Sequence, residues 1–195
     1  MEFKNLINYP QIIIGVIFIL SILDFFLPQL SSHFYRSSFS QFVEYESLGR
    51  KISDPDEEKK RKKSKWGYFL LKLFLILVLV ILWAQSRTFE SKAILALYLF
   101  AVGFAFFTFL IMDLRHLQNI LFFWYISKNP QSLSGKIIFK SQTSLRQSAI
   151  QFSSFFLLLL AILIFSPSYF FLGGICGSLF LILRNLILAK RILSS

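Results

Sequence analysis

The run WGYFLLKLFLILVLVILWAQ, residues 66–85, holds one charge, Lys72, in twenty positions. About 20 helical residues cross the hydrocarbon core of a bilayer. The run is continuously apolar and lacks the period-two alternation of a barrel strand. Lipid offers no partners for backbone N–H and C=O groups, so such a segment must close its own hydrogen bonds as a helix. It predicts a transmembrane helix.

Four more stretches repeat the pattern, near 10–30, 92–112, 148–165 and 168–189. The first has Glu2 and Lys4 ahead of it, no A-x-A site after it, and Asp24 and Pro28 within it. It reads as a retained helix rather than a cleaved leader. The expected fold is an all-α integral membrane protein: a five-helix transmembrane bundle forming a single domain.

Composition agrees. The 195 residues are 55% hydrophobic and 16% charged, against about 25% charged in ordinary soluble domains. Disorder and a typical soluble fold are excluded. A single cysteine, Cys176, excludes an intrachain disulfide framework and a Cys-based zinc site. It reads as a small packing residue. The 25 Phe residues suit lipid-facing positions and carry no functional message.

Basic residues set the orientation. With five spans, Lys4, Arg87 and Lys92 share one side. The other side holds a basic 31–65 loop (Arg36, Arg50, Lys51, Lys59, Lys60, Arg61, Lys62, Lys63, Lys65). It also holds a 113–147 loop (Arg115, Lys128, Lys136, Lys140, Arg146), with Lys190 and Arg191 beyond the last span. Sixteen against three predicts, by the positive-inside rule, an N-terminus outside and a C-terminus inside. Both long loops are then cytoplasmic, and the expected location is the cell membrane. The outer side is nearly bare: Ser166-Pro167-Ser168 joins the last two spans, with Ser166 a suitable cap and Pro167 at the first helical position.

Within the first loop, Asp54 is a plausible N-cap, Pro55 sits at N1 and Glu57 at N3. Asp56–Lys60, Glu57–Arg61 and Glu58–Lys62 are favourable i,i+4 pairs. No breaker precedes Trp66, so the second span should project about three turns beyond the membrane. Lys59, Lys60, Arg61, Lys62, Lys63 and Lys65 are placed either to contact anionic headgroups or simply to fix topology. The second loop begins with a helical continuation carrying Trp124 and Tyr125 and ends at Asn129-Pro130. Gly135 to Lys140 then reads as a strand or an interfacial segment.

Polar groups inside the spans gather at one level. Asp24, Lys72 and Arg184 each lie six residues in from the basic ends of their spans, a depth of about 9 Å. Asn119 with Asp113 and His116, and Gln147 with Gln151 and Ser154, add polar faces at that end. Lysine and arginine can snorkel to the headgroups; an aspartate cannot reach as far. An unpaired charge at a span centre costs about 2.5–3.5 kcal/mol, and less at this depth. Asp24 is therefore expected to face the bundle and pair with Arg184 first, Lys72 second, unless it is protonated. Gly173 and Gly177 form GxxxG, a close-packing face expected to work within the chain, and Arg184 projects within about 20° of it at 100° per residue. Ala101, Ala105 and Thr108 make a similar stripe on the third span.

The catalytic candidates are Asp113, Arg115 and His116. A carboxylate and an imidazole at i,i+3 share a helix face, so one can orient the other or join it on a metal, with His33 and Glu44 or Glu46 to complete a site. Two ligands do not make a metal site, and none is expected. No P-loop, H-E-x-x-H or G-x-S-x-G occurs, and no cofactor is implied. The expected role is non-enzymatic, through a basic cytoplasmic face acting on anionic lipid or a protein partner, with a homo-oligomer possible in principle. An inner-leaflet headgroup enzyme using Asp113, Arg115 and His116 is the alternative. A transporter or channel subunit ranks third, because the outer halves offer no polar path and no inverted repeat stands out. The basic charge follows membrane flanks and no nucleic-acid motif occurs, so no nucleic-acid partner is expected.

Overall fold

Each apolar run becomes the centre of one long helix. A computed structural model describes residues 10–34, 43–46, 55–88, 91–129, 131 and 137–193. The elements are α1 (Pro10–Phe34), β1 (Val43–Glu46), α2 (Pro55–Thr88), α3 (Lys92–Lys128), β2 (Ile137–Lys140), α4 (Ser141–Phe165) and α5 (Tyr169–Leu193). All five helices are long and apolar enough to cross a membrane, and the chain is a multi-pass helical membrane protein.

Two helices are longer than a bilayer needs. α2 runs unbroken from Pro55, so the acidic–basic segment and the second span are one rod; Asp54 lies outside the described residues. α3 spans 37 residues, about 55 Å, against a hydrocarbon core of about 30 Å. It stops at Asn129, whose backbone N–H donates to the carbonyls of Tyr125 and Ile126.

One tight connection differs from expectation. Ser168, not Ser166, caps α5: its Oγ accepts from the backbone N–H of Phe171 at 3.3 Å. Pro167 therefore precedes the cap, and Ser166 closes α4 by donating its N–H to the Ile162 carbonyl at 2.8 Å. The helix begins at Tyr169, so the cap one residue before it is the group within reach of the third helical N–H.

α5 packs along both α3 and α4, α3 also carries α1, and α2 touches α1 and α3. The α3–α5 contact is close because of glycine. A Cβ at Gly173 would collide with the backbone of Phe100 and Phe104, and one at Gly103 with the backbone of Phe170. Gly177 sits against Thr108 and Phe104. The GxxxG face thus packs within the chain. The core between α1, α2, α3 and α5 includes Ile17, Leu79, Val102 and Ala105; a smaller cluster of Ile111, Phe152 and Leu181 joins α3, α4 and α5.

The exception to an all-helical architecture is a parallel pair of four-residue strands, β1 and β2, in register Val43↔Ile137 to Glu46↔Lys140. It ties the first basic loop to the second and makes Ile137–Lys140 a strand; Gly135 and Lys136 lie outside the described residues.

Candidate functional site: a charged cavity within the bundle

Asp24 reaches the bundle interior from α1 and is 6% exposed. Its Oδ2 accepts from Lys72 Nζ of α2, forming an ion pair. Lys72 also stands over the ring of Phe109, 5.4 Å from its centroid, so the ammonium is held by a carboxylate and a π-face together. The other carboxylate oxygen, Asp24 Oδ1, is buried without a hydrogen-bond partner among the described residues. His116 Nε2 of α3 stands 3.9 Å from it, too far for a direct hydrogen bond.

Asp24, Lys72, Phe109 and His116 line a cavity of about 650 Å³. Its floor is Thr108, Phe109, Met112 and His116 of α3. Leu71, Phe74, Leu75 and Val78 of α2 form one bank, and Phe180, Leu181 and Arg184 of α5 form the other. Leu71, Phe74 and Phe180 also show wide outward exposure, so the lips of the cavity are apolar and face sideways out of the bundle. The result is a largely apolar trough that carries Asp24, Lys72, His116 and Arg184 in its lining.

Arg184 corrects an expectation. It does not pair with Asp24, and among the described residues it makes no ion pair. It is exposed, on the far bank from Lys72. The buried residue at this level is its neighbour Asn185, 5% exposed. The reason lies in the packing of α5 against two helices. Its buried arc runs through Gly173, Gly174, Gly177, Ser178, Leu181 and Asn185. The GxxxG pair is one edge of that arc, so a residue in line with it sits where α5 and the cavity meet.

The candidate triad separates. His116 faces Asp24, whereas the Arg115 guanidinium lies over Phe152 of α4, 5.7 Å from the ring centroid. Asp113 is 5% exposed, and neither of its oxygens has a hydrogen-bond partner among the described residues. It lies within electrostatic reach of Asp24 and Lys72. Asn119 is half-buried and Gln147 is exposed. Gln151 Nε2 donates to Gln118 Oε1 at 3.5 Å, a weak link between α4 and α3. The polar face on α4 therefore stays apart from the cavity, and its buried polar residue is Ser148, which hydrogen-bonds its own helix at the Ser144 carbonyl.

His33 is exposed near the end of α1, and the side chains of Glu44 and Glu46 lie outside the described residues. Among the described residues no three His, Cys, Asp or Glu side chains gather to hold a metal. The side chains of Lys59, Lys60, Arg61, Lys62, Lys63 and Lys65 also lie outside the described residues, though their backbone is helical. No family model, curated protein or solved structure matches this chain.

Proposed function

We propose that this multi-pass membrane protein is a non-enzymatic lipid-binding protein that holds a phospholipid, by its anionic phosphate, in the trough between α2, α3 and α5. The observation that carries the reading is the trough itself: mostly apolar, with lips facing out of the bundle, and with Lys72, His116 and Arg184 in its lining. Such a shape matches an amphiphile, with acyl chain against Leu75, Phe109 and Phe180 and headgroup at the cations. Binding sites of this size are mostly apolar with a few converging polar groups. Among the described residues Arg184 makes no ion pair, and it supplies the cation for the phosphate. Lys72 uses one ammonium proton on Asp24, and an ammonium has three.

The charged groups then face the cytoplasm of the cell membrane, on the side of the sixteen basic flanking residues. Lys59–Lys63 and Lys65, on the extension of α2, attract anionic lipid to the same leaflet. A non-enzymatic role is favoured over headgroup chemistry because Arg115 turns away to Phe152, which leaves Asp113, Arg115 and His116 without a common face.

A photoactivatable phospholipid with its reactive group in the acyl chain tests this. In reconstituted bilayers, cross-links should concentrate on peptides containing Leu75, Phe109 and Phe180. Leu75→Trp, which fills the trough, should suppress them. Equal labelling of Leu75 and of the outward-facing Ile164 and Phe165, unchanged by L75W, would refute the proposal.

A further inference from the structure

The ion pair in the trough lining is asymmetric, and the asymmetry identifies the headgroup. Asp24 is nine-tenths buried, with its side chain only 3% exposed, and it lines the trough. One oxygen is taken by Lys72; the other, Oδ1, has no donor among the described residues. A buried carboxylate oxygen without a donor is costly, because the group loses water and gains nothing. Buried polar atoms in native proteins nearly always have partners, and an orphan calls for one.

His116 Nε2 stands 3.9 Å from Oδ1, beyond direct hydrogen-bond reach. Arg184, also in the lining, supplies the charge for a phosphate. The cavity thus presents a cation for an anion and an acceptor for a donor. Resting on the lipid reading above, we infer that the bound lipid is a phosphodiester whose headgroup carries an N–H or O–H that donates to Asp24 Oδ1.

Two headgroup chemistries meet this description. A primary ammonium donates to Oδ1 with protons to spare, and a hydroxyl donates to Oδ1 the one proton it has. A trimethylammonium head has the same phosphate and a cation but no donor, so it leaves Oδ1 unsatisfied. Sites built around a hydrogen bond discriminate strongly against analogues lacking the donor, because their own polar atoms are then stranded.

The test uses the full chain, delipidated and exposed to phospholipids of identical acyl composition, with retention read by native mass spectrometry. The series is phosphatidylethanolamine, its N-methyl and N,N-dimethyl forms, phosphatidylcholine and phosphatidylglycerol. Retention should hold through the dimethyl form, which keeps one N–H, and fall about tenfold at the last methyl. Phosphatidylglycerol should bind with the ethanolamine group. A smooth decline with each methyl would mean that bulk decides, and would overturn the inference. So would equal retention of all five, with the lipid site still standing because cross-linking in the trough is a separate measurement. No cross-linking in the trough and no retention would remove both. Asp24→Asn, which weakens the acceptor, should narrow the dimethyl-to-trimethyl step to about threefold or less. The series on the unaltered chain decides the matter if that variant does not fold.

Discussion

Lys72 and Arg184 both line one cavity, and of the two it is Lys72 that is bonded to Asp24. Their depths in the sequence are equal, yet one is a structural counter-ion and the other makes no ion pair among the described residues. That division separates the effects of changing them.

Asp24→Asn and Lys72→Gln should each lower the melting temperature in detergent. Removing one partner of a buried pair costs about 3–5 kcal/mol in soluble proteins, and less here because water and snorkelling relieve it. The double variant should cost less than the sum by more than about 0.5 kcal/mol, as coupled residues do. Arg184→Gln should add to Asp24→Asn within about 0.5 kcal/mol. Coupling of Asp24 to Arg184 instead of Lys72 would contradict the geometry.

The glycines make a sharp comparison. Gly103→Ala and Gly173→Ala place a methyl group against backbone of the facing helix and should destabilise by about 1–3 kcal/mol. Gly15→Ala meets nothing within 4 Å and should be neutral, or stabilising by up to about 1 kcal/mol through helix propensity. Thermal unfolding of the three variants measures both effects.

Asp113 is the opposite of Asp24: buried, with no hydrogen bond to either oxygen among the described residues. Its carboxyl contributes desolvation cost without a matching bond. Asp113→Asn should therefore leave stability unchanged or raise it. A loss above about 1 kcal/mol in the same melt would show that the carboxyl has a stabilising partner.

Sidedness is tested with single cysteines in a Cys176→Ala background. Cysteines at Ser37 and Lys136 should react only from the cytoplasmic side, and one at Thr88 only from outside. Replacing Lys59–Lys63 with glutamine should produce a mixture of orientations, since basic flanks set topology. Labelling of Ser37 from outside the intact cell would reverse the assignment.

The five helices were legible because each is a continuous apolar run, and such a run has one solution in lipid. That Asp24 turns inward was legible too, since its side chain is too short to reach the headgroups. Its partner was not. Depth can be counted along a sequence, but Lys72 and Arg184 tie on depth, and the choice rests on which helices are neighbours. α1 lies beside α2 and α3, while α5 lies along α3 and α4. GxxxG marked a close-packing face within the chain without naming α3 as its partner, and misplaced Arg184, because a helix packed on two sides has a buried arc wider than any single motif. The trough left no mark in the sequence at all. It exists where α2 and α5 stand apart across α3, and its lining residues are ordinary leucines and phenylalanines.

If the trough holds a lipid as proposed, the lips formed by Leu71, Phe74 and Phe180 open onto hydrocarbon rather than water, and this changes what saturation means. A ligand arriving through them diffuses in two dimensions, and the variable that fills the site is its mole fraction in one leaflet, with every neighbouring lipid a competitor. A weak site can then be nearly full in a native membrane and empty after dilution into micelles, where detergent tails take the same apolar walls. Occupancy would follow the lipid composition of the membrane and stay insensitive to solutes on either side, so the chain would report on the bilayer that surrounds it.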